Sequence, residues 1–296
     1  MTRLEHRINR VLDHINQHPH GDLSLETLAA IAGLSRFHFH RLFKDQTAEP
    51  LNAFVNRQRL ERAIKELRAD RDLTLTDAAL NAGFSSLSDF SRTFKSRYTV
   101  AASRWNRRDP LQVSKIRQTG PFNERYTDLE LASPPFVVAI QRIPAQTLAY
   151  IRVTKPYEGS RLQRALYEFH SALDAARLTV TGELLGLSLN DPDVTPLEQC
   201  LYDWAIPIAE TVQLKTIRHG LTLRSQPAFR VASITVHGDI KRVDAAWHYL
   251  YRHWLPVSPY LPAHLPAVEH YRQPPDRLDW HTWHLDCWLP IEEASE

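Results

Sequence analysis

The side chains of this 296-residue chain suggest two kinds of chemistry. The first is the reading of bases. Arg36, His38, His40 and Arg41 fall in one short segment, and Arg92 and Lys95 repeat Arg41 and Lys44 at a spacing of 51 residues. A guanidinium binds guanine bidentately in the major groove, while aromatic or apolar groups touch thymine methyls. A basic run is more often the solvated face of a helical domain, but two copies at one spacing favour a nucleic-acid reader. The second is counter-ion chemistry. Glu269 stands beside Val268 in an apolar strand context, with Tyr271 on the same strand face. A buried carboxylate is costly unless paired. Glu269 therefore suits a cationic ligand, to which nearby rings would add cation–π attraction on the order of 1–2 kcal/mol.

Other constellations carry less. His281 and His284 are spaced so that a strand sends them to opposite faces, and no shared metal is expected. Cys200 and Cys287 fall in β-like segments and read as buried packing residues. No Gly-rich phosphate loop, nucleophile elbow or Ser/His/Asp order can be picked out, so no catalytic residue and no cofactor is assigned.

The elements that must position these groups follow from periodicity and punctuation. Leu4, Ile8, Val11, Leu12 and Ile15 mark an opening helix that Pro19 and Gly21 end. Leu25, Leu28, Ala29 and Ala32 fit a short helix behind Ser24. Gly33 suits a left-handed turn, and Ser35 caps a second helix over 36–44. This is a helix-turn-helix arrangement. It returns about fifty residues later, where a helix from Leu75 runs into Gly83. A basic helix over 86–95 then has Phe90 and Phe94 inward and Arg92 outward. Between the units, 51–67 reads as one helix of ~25 Å. That length helps to hold two recognition helices about one DNA turn, roughly 34 Å, apart.

The second half alternates strands and helices in an internal repeat. Residues 144–153 and 227–236 are identical at five of ten positions, at an offset of 83. The runs 203–208 and 286–291 share that offset. Helical stripes match at 81, with Leu162, Ala165, Leu166, Phe169 and Leu173 against Val243, Ala246, Trp247, Leu250 and Trp254. Each copy reads strand, helix, strand, strand, and two copies joined in one sheet would leave a concave surface along their seam.

Composition supports a two-part chain. With 43% hydrophobic and 24% charged residues it is ordinary globular protein, and 9 Gly and 19 Pro exclude a collagenous chain. The net charge of +2 hides an asymmetry: residues 1–108 hold 18 basic and 12 acidic residues, and residues 109–296 hold 18 and 22. A +6 half suggests an anionic partner, fused to a −4 half with another task. The division expected is a helical domain over 1–108, a linker over 109–134 and an α+β domain over 135–296. Two cysteines form no disulfide framework, the N-terminus lacks a signal peptide's apolar core, and no apolar run reaches the ~18 residues of a membrane helix. A cytoplasmic protein without a membrane partner is expected.

The run of residues 34–44, Leu-Ser-Arg-Phe-His-Phe-His-Arg-Leu-Phe-Lys, resembles the first recognition helix of AraC-family transcription regulators. Gly83-Phe84 and the run 89–95, Asp-Phe-Ser-Arg-Thr-Phe-Lys, resemble the second half of the same signature. The resemblance implies an all-α tandem helix-turn-helix domain whose contacts to double-stranded DNA fall on Arg36, Phe37, His40 and Arg41, then on Leu87, Ser88 and Arg92. Ala48 and Thr99 depart from it, standing where the family usually has Gly, and Ala102 stands where Pro is usual.

The duplicated β-α-β-β pattern, with Val236-His-Gly238, Trp254-Leu-Pro256 and Val268-Glu-His-Tyr271, resembles the GyrI-like ligand-binding domains of drug-responsive regulators. The order of the two domains is that of Rob-like regulators. In the GyrI-like family a Glu at the place of Glu269 faces an aromatic pocket, whose candidate walls here are Trp247, Tyr251, Trp254, Tyr271 and Tyr157. Trp247 and Trp254 also lie on the core stripe, where packing alone explains them. The first repeat has Gly186 at the equivalent place, so folding symmetry does not require the carboxylate. The resemblance implies a sequence-specific regulator, not an enzyme. It would bind DNA as a monomer and sense a small cationic or hydrophobic effector, with RNA polymerase as a further partner. Two alternatives stand beside it: a GyrI-like small-molecule hydrolase using Glu269 as general base, and a ligand-free interaction module fused to a DNA-binding domain.

Overall fold

Four helices of the first half begin where a short hydroxyl side chain stands ready to cap them. A computed structural model describes residues 3–107, 111, 136–209, 220–273 and 282–293. The expected linker, apart from Leu111, and His281 lie outside the described residues. Helices α1 (Arg3–Gln17), α2 (Leu25–Ala32), α3 (Arg36–Thr47), α4 (Leu51–Ala69), α5 (Leu75–Asn81) and α6 (Leu87–Tyr98) follow in order. Ser24, Ser35, Thr74 and Ser86 accept from the backbone N–H of Thr27, His38, Asp77 and Asp89, satisfying donors that a helix start leaves free.

α4 is the spine of this half. Its Leu51, Phe54 and Val55 join α1–α3 in one apolar cluster with Phe39 and Phe43. Its Leu60, Ala63, Ile64 and Leu67 join α5 and α6 in a second cluster with Phe90 and Phe94. Ala48 and Thr99, the two departures from Gly, both adopt φ 61° and close α3 and α6 as left-handed caps on Lys44 and Lys95. The turns therefore keep the geometry glycine would give, at the steric cost of a Cβ.

The second half is one antiparallel sheet with two helices. Its elements are β1 (Ala139–Ile143), β2 (Gln146–Thr154), α7 (Arg161–Ala176), β3 (Leu185–Ser188), β4 (Leu201–Ile208), β5 (Thr222–Gln226), β6 (Phe229–Gly238), α8 (Ile240–Tyr249), β7 (Tyr260–Pro262), β8 (Ala267–Tyr271) and β9 (Trp283–Glu293). The strand order is β1-β6-β9-β8-β3-β4-β2-β5, with β7 on β9. Buried Leu166, Phe169 and Leu173 of α7 and Val243 and Ala246 of α8 lie in the core the repeat predicts. Cys200 and Cys287 are free and buried.

The first copy carries one strand more than β-α-β-β, β1, and the second carries two, β5 and the short β7. β1 and β5 occupy equivalent places 83 residues apart and are exchanged. β1 pairs with β6 of the second copy, and β5 pairs with β2 of the first. The seam is the β3–β8 pair, which sets Gly186 opposite Glu269.

The halves dock through buried groups. Val194 enters the α4–α6 cluster and Leu201 the α1–α4 cluster. Arg152 of β2 donates to both carboxylate oxygens of Asp203, at 2.8 Å each, and at 2.7 Å to Asp13 of α1. Tyr150 donates to the other Asp13 oxygen at 2.5 Å. Burial alone would raise the Asp13 carboxyl, but Arg152, Arg224 and the Tyr150 hydroxyl hold it below the ordinary range. A carboxylate depressed on folding stabilises the protein above its unfolded pKa, near 3.9, and the contribution is lost as pH falls through the folded value. Asp13→Ala is expected to cost about 3 kcal/mol or more at neutral pH, since it removes one partner of a buried ion pair. The deficit should shrink towards pH 2. Urea denaturation of both chains at the two pH values checks this.

Candidate functional site

α3 and α6 present the seven residues the sequence assigns to DNA. Phe39 and Phe43 anchor α3 inward, and Phe90, Phe94 and Tyr98 anchor α6. The opposite faces are left to solvent. Arg36, Phe37, His40 and Arg41 are exposed on α3, as are Leu87, Ser88 and Arg92 on α6. Phe37 is 80% exposed, a large apolar ring with no fold role on that face. Arg36 pairs with Glu26 and Arg92 with Asp89 at 2.8 Å, all on open surface. Such pairs are worth little and release their guanidinium groups at small cost. The sheet half meets α6 from behind, through Arg97 to Gln199 and Tyr98 to the carbonyl of Val194, and leaves both outer faces clear.

Glu269 lines a cavity of about 350 Å³ between the two halves, within the usual span of small-molecule sites, ~300–1,000 Å³. One carboxylate oxygen accepts from Tyr202 at 2.7 Å and from Tyr271 at 2.8 Å, and Trp247 supplies a third donor. Burial pushes the carboxyl up, against these three donors, and no cation among the described residues acts on it. Burial and the neighbouring carboxylate raise both tyrosine hydroxyls, so they stay protonated donors. Gly186 makes this cluster possible. A Cβ there would overlap the Tyr202 hydroxyl, so the residue facing Glu269 across the seam must lack one.

The sequence-assigned wall divides. Trp247, Tyr251 and Tyr157 line the cavity with Glu269. Tyr271 lies behind Glu269, buried between Trp204 and Trp283, and orients the carboxylate from below. Trp254 is outside the lining: it ends the π turn that follows α8, stacks on Tyr260 at 6.0 Å and packs against the sheet core, where its stripe places it. The opposite wall was not legible. Gln58, Arg59, Arg62, Lys65 and Arg68 of α4 line the cavity, yet their spacing in sequence is that of any solvated helix face. Among the described residues no group of three or more His, Cys, Asp or Glu could hold a metal ion, and no helix is long and apolar enough to cross a membrane.

Residues 28–108 match a helix-turn-helix domain of the AraC type, and residues 137–292, more than half the chain, match the GyrI-like small molecule binding domain. The chain belongs to the GyrI-like family. Regulatory protein PocR of Salmonella typhimurium is 36% identical over 99 residues, covering 33% of this chain and 32% of that protein. An HTH-type transcriptional regulator of Staphylococcus aureus strain MSSA476 is 36% identical over 125 residues, 42% of this chain. The match spans only 16% of that regulator's length. Among solved structures, EcmrR in its DNA complex has a TM-score of 0.46 at 16% identity, covering 54% of this chain and 58% of that one. The DNA-binding domain of AdpA with target DNA has a TM-score of 0.31 at 24% identity, covering 38% and 96%.

In this GyrI-like chain the seam glycine is directly testable. Gly186→Ala should expel the Tyr202 hydroxyl and cost about 1–3 kcal/mol by overpacking. With one donor gone, the Glu269 carboxyl should titrate at higher pH than in the parent, as followed by NMR of the labelled carboxyl carbon.

Proposed function

We propose that this protein is a one-component transcription regulator. The tandem helix-turn-helix half reads the major groove as a monomer, and the GyrI-like half binds a small cationic or hydrophobic effector at Glu269. The observation that carries the reading is the state of Glu269: a carboxylate in a cavity it shares with the rings of Trp247, Tyr251 and Tyr157, held by three neutral donors, with no cation among the described residues acting on it. A fixed carboxylate without a counter-ion is the complement of a lipophilic cation, and Trp247 and Tyr251 offer ring faces beside it.

For DNA, Arg41→Ala and Arg92→Ala, equivalent positions of the two readers, should each weaken a specific site by ~1–3 kcal/mol, about 5- to 150-fold. Electrophoretic mobility shift on a selected site measures this, and unchanged affinity in both variants refutes the assigned helices.

For the effector, pentyltriphenylphosphonium is a suitable probe: a delocalised cation with aromatic faces and no other charge. Calorimetry should show binding to the parent and its loss in Glu269→Gln. The same substitution should leave the empty protein as stable or more stable at pH 7, because it removes the cost of a buried charge whose pKa burial has raised. The competing reading, hydrolysis with Glu269 as general base beside the two tyrosines, predicts turnover of small electrophiles that Glu269→Gln abolishes. That result would overturn a purely sensory role.

A further inference from the structure

The cavity is electrically two-sided. Five basic and five acidic side chains line it, and they are segregated by domain. Four of the basic groups lie on α4, and four of the acidic groups belong to the sensor half. Arg68 pairs with Asp191 across the gap at 3.0 Å, and Arg252 with Asp193 within the sensor half at 3.4 Å. Glu61 is taken by Arg57, Asn190 and Thr195. On the sensor side Glu269 remains without a cation among the described residues.

On the α4 side Arg59, Arg62 and Lys65 remain without a carboxylate in ion-pair contact among the described residues, and Lys65 and Arg62 are the more deeply buried. Lys65 donates to the carbonyl oxygens of Ala263 at 2.8 Å and Leu265 at 3.5 Å. An ammonium has three donors, so one is without an acceptor among the described residues. Burial and the neighbouring Arg62 lower it to about 8, against Asp191, Glu292 and Glu66, none of which touches it. Glu66 is occupied by His264 at 2.9 Å and by Asn81. Arg62 reaches only the carbonyl oxygen of Asn16, at 3.4 Å, and burial lowers it to about 10.

We propose that the effector is dipolar: a cationic or aromatic group lies against Glu269 and Trp247, and an anionic group, a carboxylate or phosphate, meets Lys65 and Arg62 of the helix-turn-helix half. Lys65 and Arg62 are then specificity-determining residues supplied by α4, and the ligand bridges the two domains. A plain cation satisfies only one wall and leaves the other repelling it. A dipole satisfies both without disturbing the pairs already made.

This rests on the reading of Glu269 as an effector site, and a matched pair of probes separates the two. Pentyltriphenylphosphonium and carboxybutyl-triphenylphosphonium have the same cation and chain length and differ in a terminal carboxylate. Calorimetry on the full chain should show the carboxylate-bearing probe binding about tenfold tighter or more, the scale of one charge-assisted hydrogen bond in a shielded site. In Lys65→Met the preference should vanish while the pentyl probe binds as tightly as before or tighter, its repulsion by the ammonium being gone, which also reports that the cavity is folded. Lys65→Arg should restore the preference, and Arg62→Gln should reduce it. Equal affinity of the parent for both probes overturns the proposal and leaves the cation site standing. So does a preference unmoved in both Lys65→Met and Arg62→Gln, or a loss of both probes alike in Lys65→Met, which would make Lys65 a loop anchor. No binding of either probe to the parent overturns the effector reading itself.

Discussion

Arg152 is the residue on which the arrangement of the two halves depends. Its guanidinium is almost wholly buried between Asp203, a neighbour in its own sheet, and Asp13 of α1. Desolvating three charges is tolerable only because the donors and acceptors match: two bonds to Asp203, one to Asp13, and the Tyr150 hydroxyl on the remaining Asp13 oxygen. Such a cluster has little tolerance for sliding, because any shift of α1 over β2 strands a buried charge. It therefore fixes register as well as contact. With α1 held on β2, the polar face of α4 is set over the concave side of the sheet, and the cavity exists because of that placement.

The charge asymmetry of the chain takes on a second meaning in this light. Much of the basic surplus of residues 1–108 does lie on α3 and α6, where a duplex would meet it. Yet Arg59, Arg62, Lys65 and Arg68 face the acidic GyrI-like half across the cavity. The two halves are complementary to each other as well as to outside partners. Counting charge by domain cannot separate these uses, because an interface and a DNA surface draw on the same residues.

What the sequence discloses is what is local or repeated. The starts of α2 and α3 were legible because Ser24 and Ser35 each act within three residues of themselves. The sheet domain was legible because the duplicated strands keep side-chain identities at one offset. The exchange of β1 and β5 was not, since an edge strand pairing by backbone bonds with the other copy needs few conserved side chains: Ala139–Ile143 and Thr222–Gln226 share little. Trp254 keeps its place against the core, but the π turn that carries it is a deviation of one residue that periodicity cannot register. Gly186 was visible only as an absence of Glu. Its reason, room for the Tyr202 hydroxyl, is tertiary.

The same asymmetry explains how a duplicated fold comes to hold one site. Twofold repetition would place equivalent residues on both sides of the β3–β8 seam, and two facing carboxylates would repel in a medium that screens them poorly. Replacing one by glycine removes the repulsion and admits a tyrosine from the neighbouring strand as a donor to the other. The cavity thus acquires polarity along the pseudo-twofold, and α4 covers it with charge of the opposite sign. α4 also contributes to both helical cores. A ligand seated between Glu269 and α4 would favour the docked arrangement by the difference between its affinities for docked and undocked states. Linkage makes that difference reciprocal: DNA binding would alter effector affinity by the same factor.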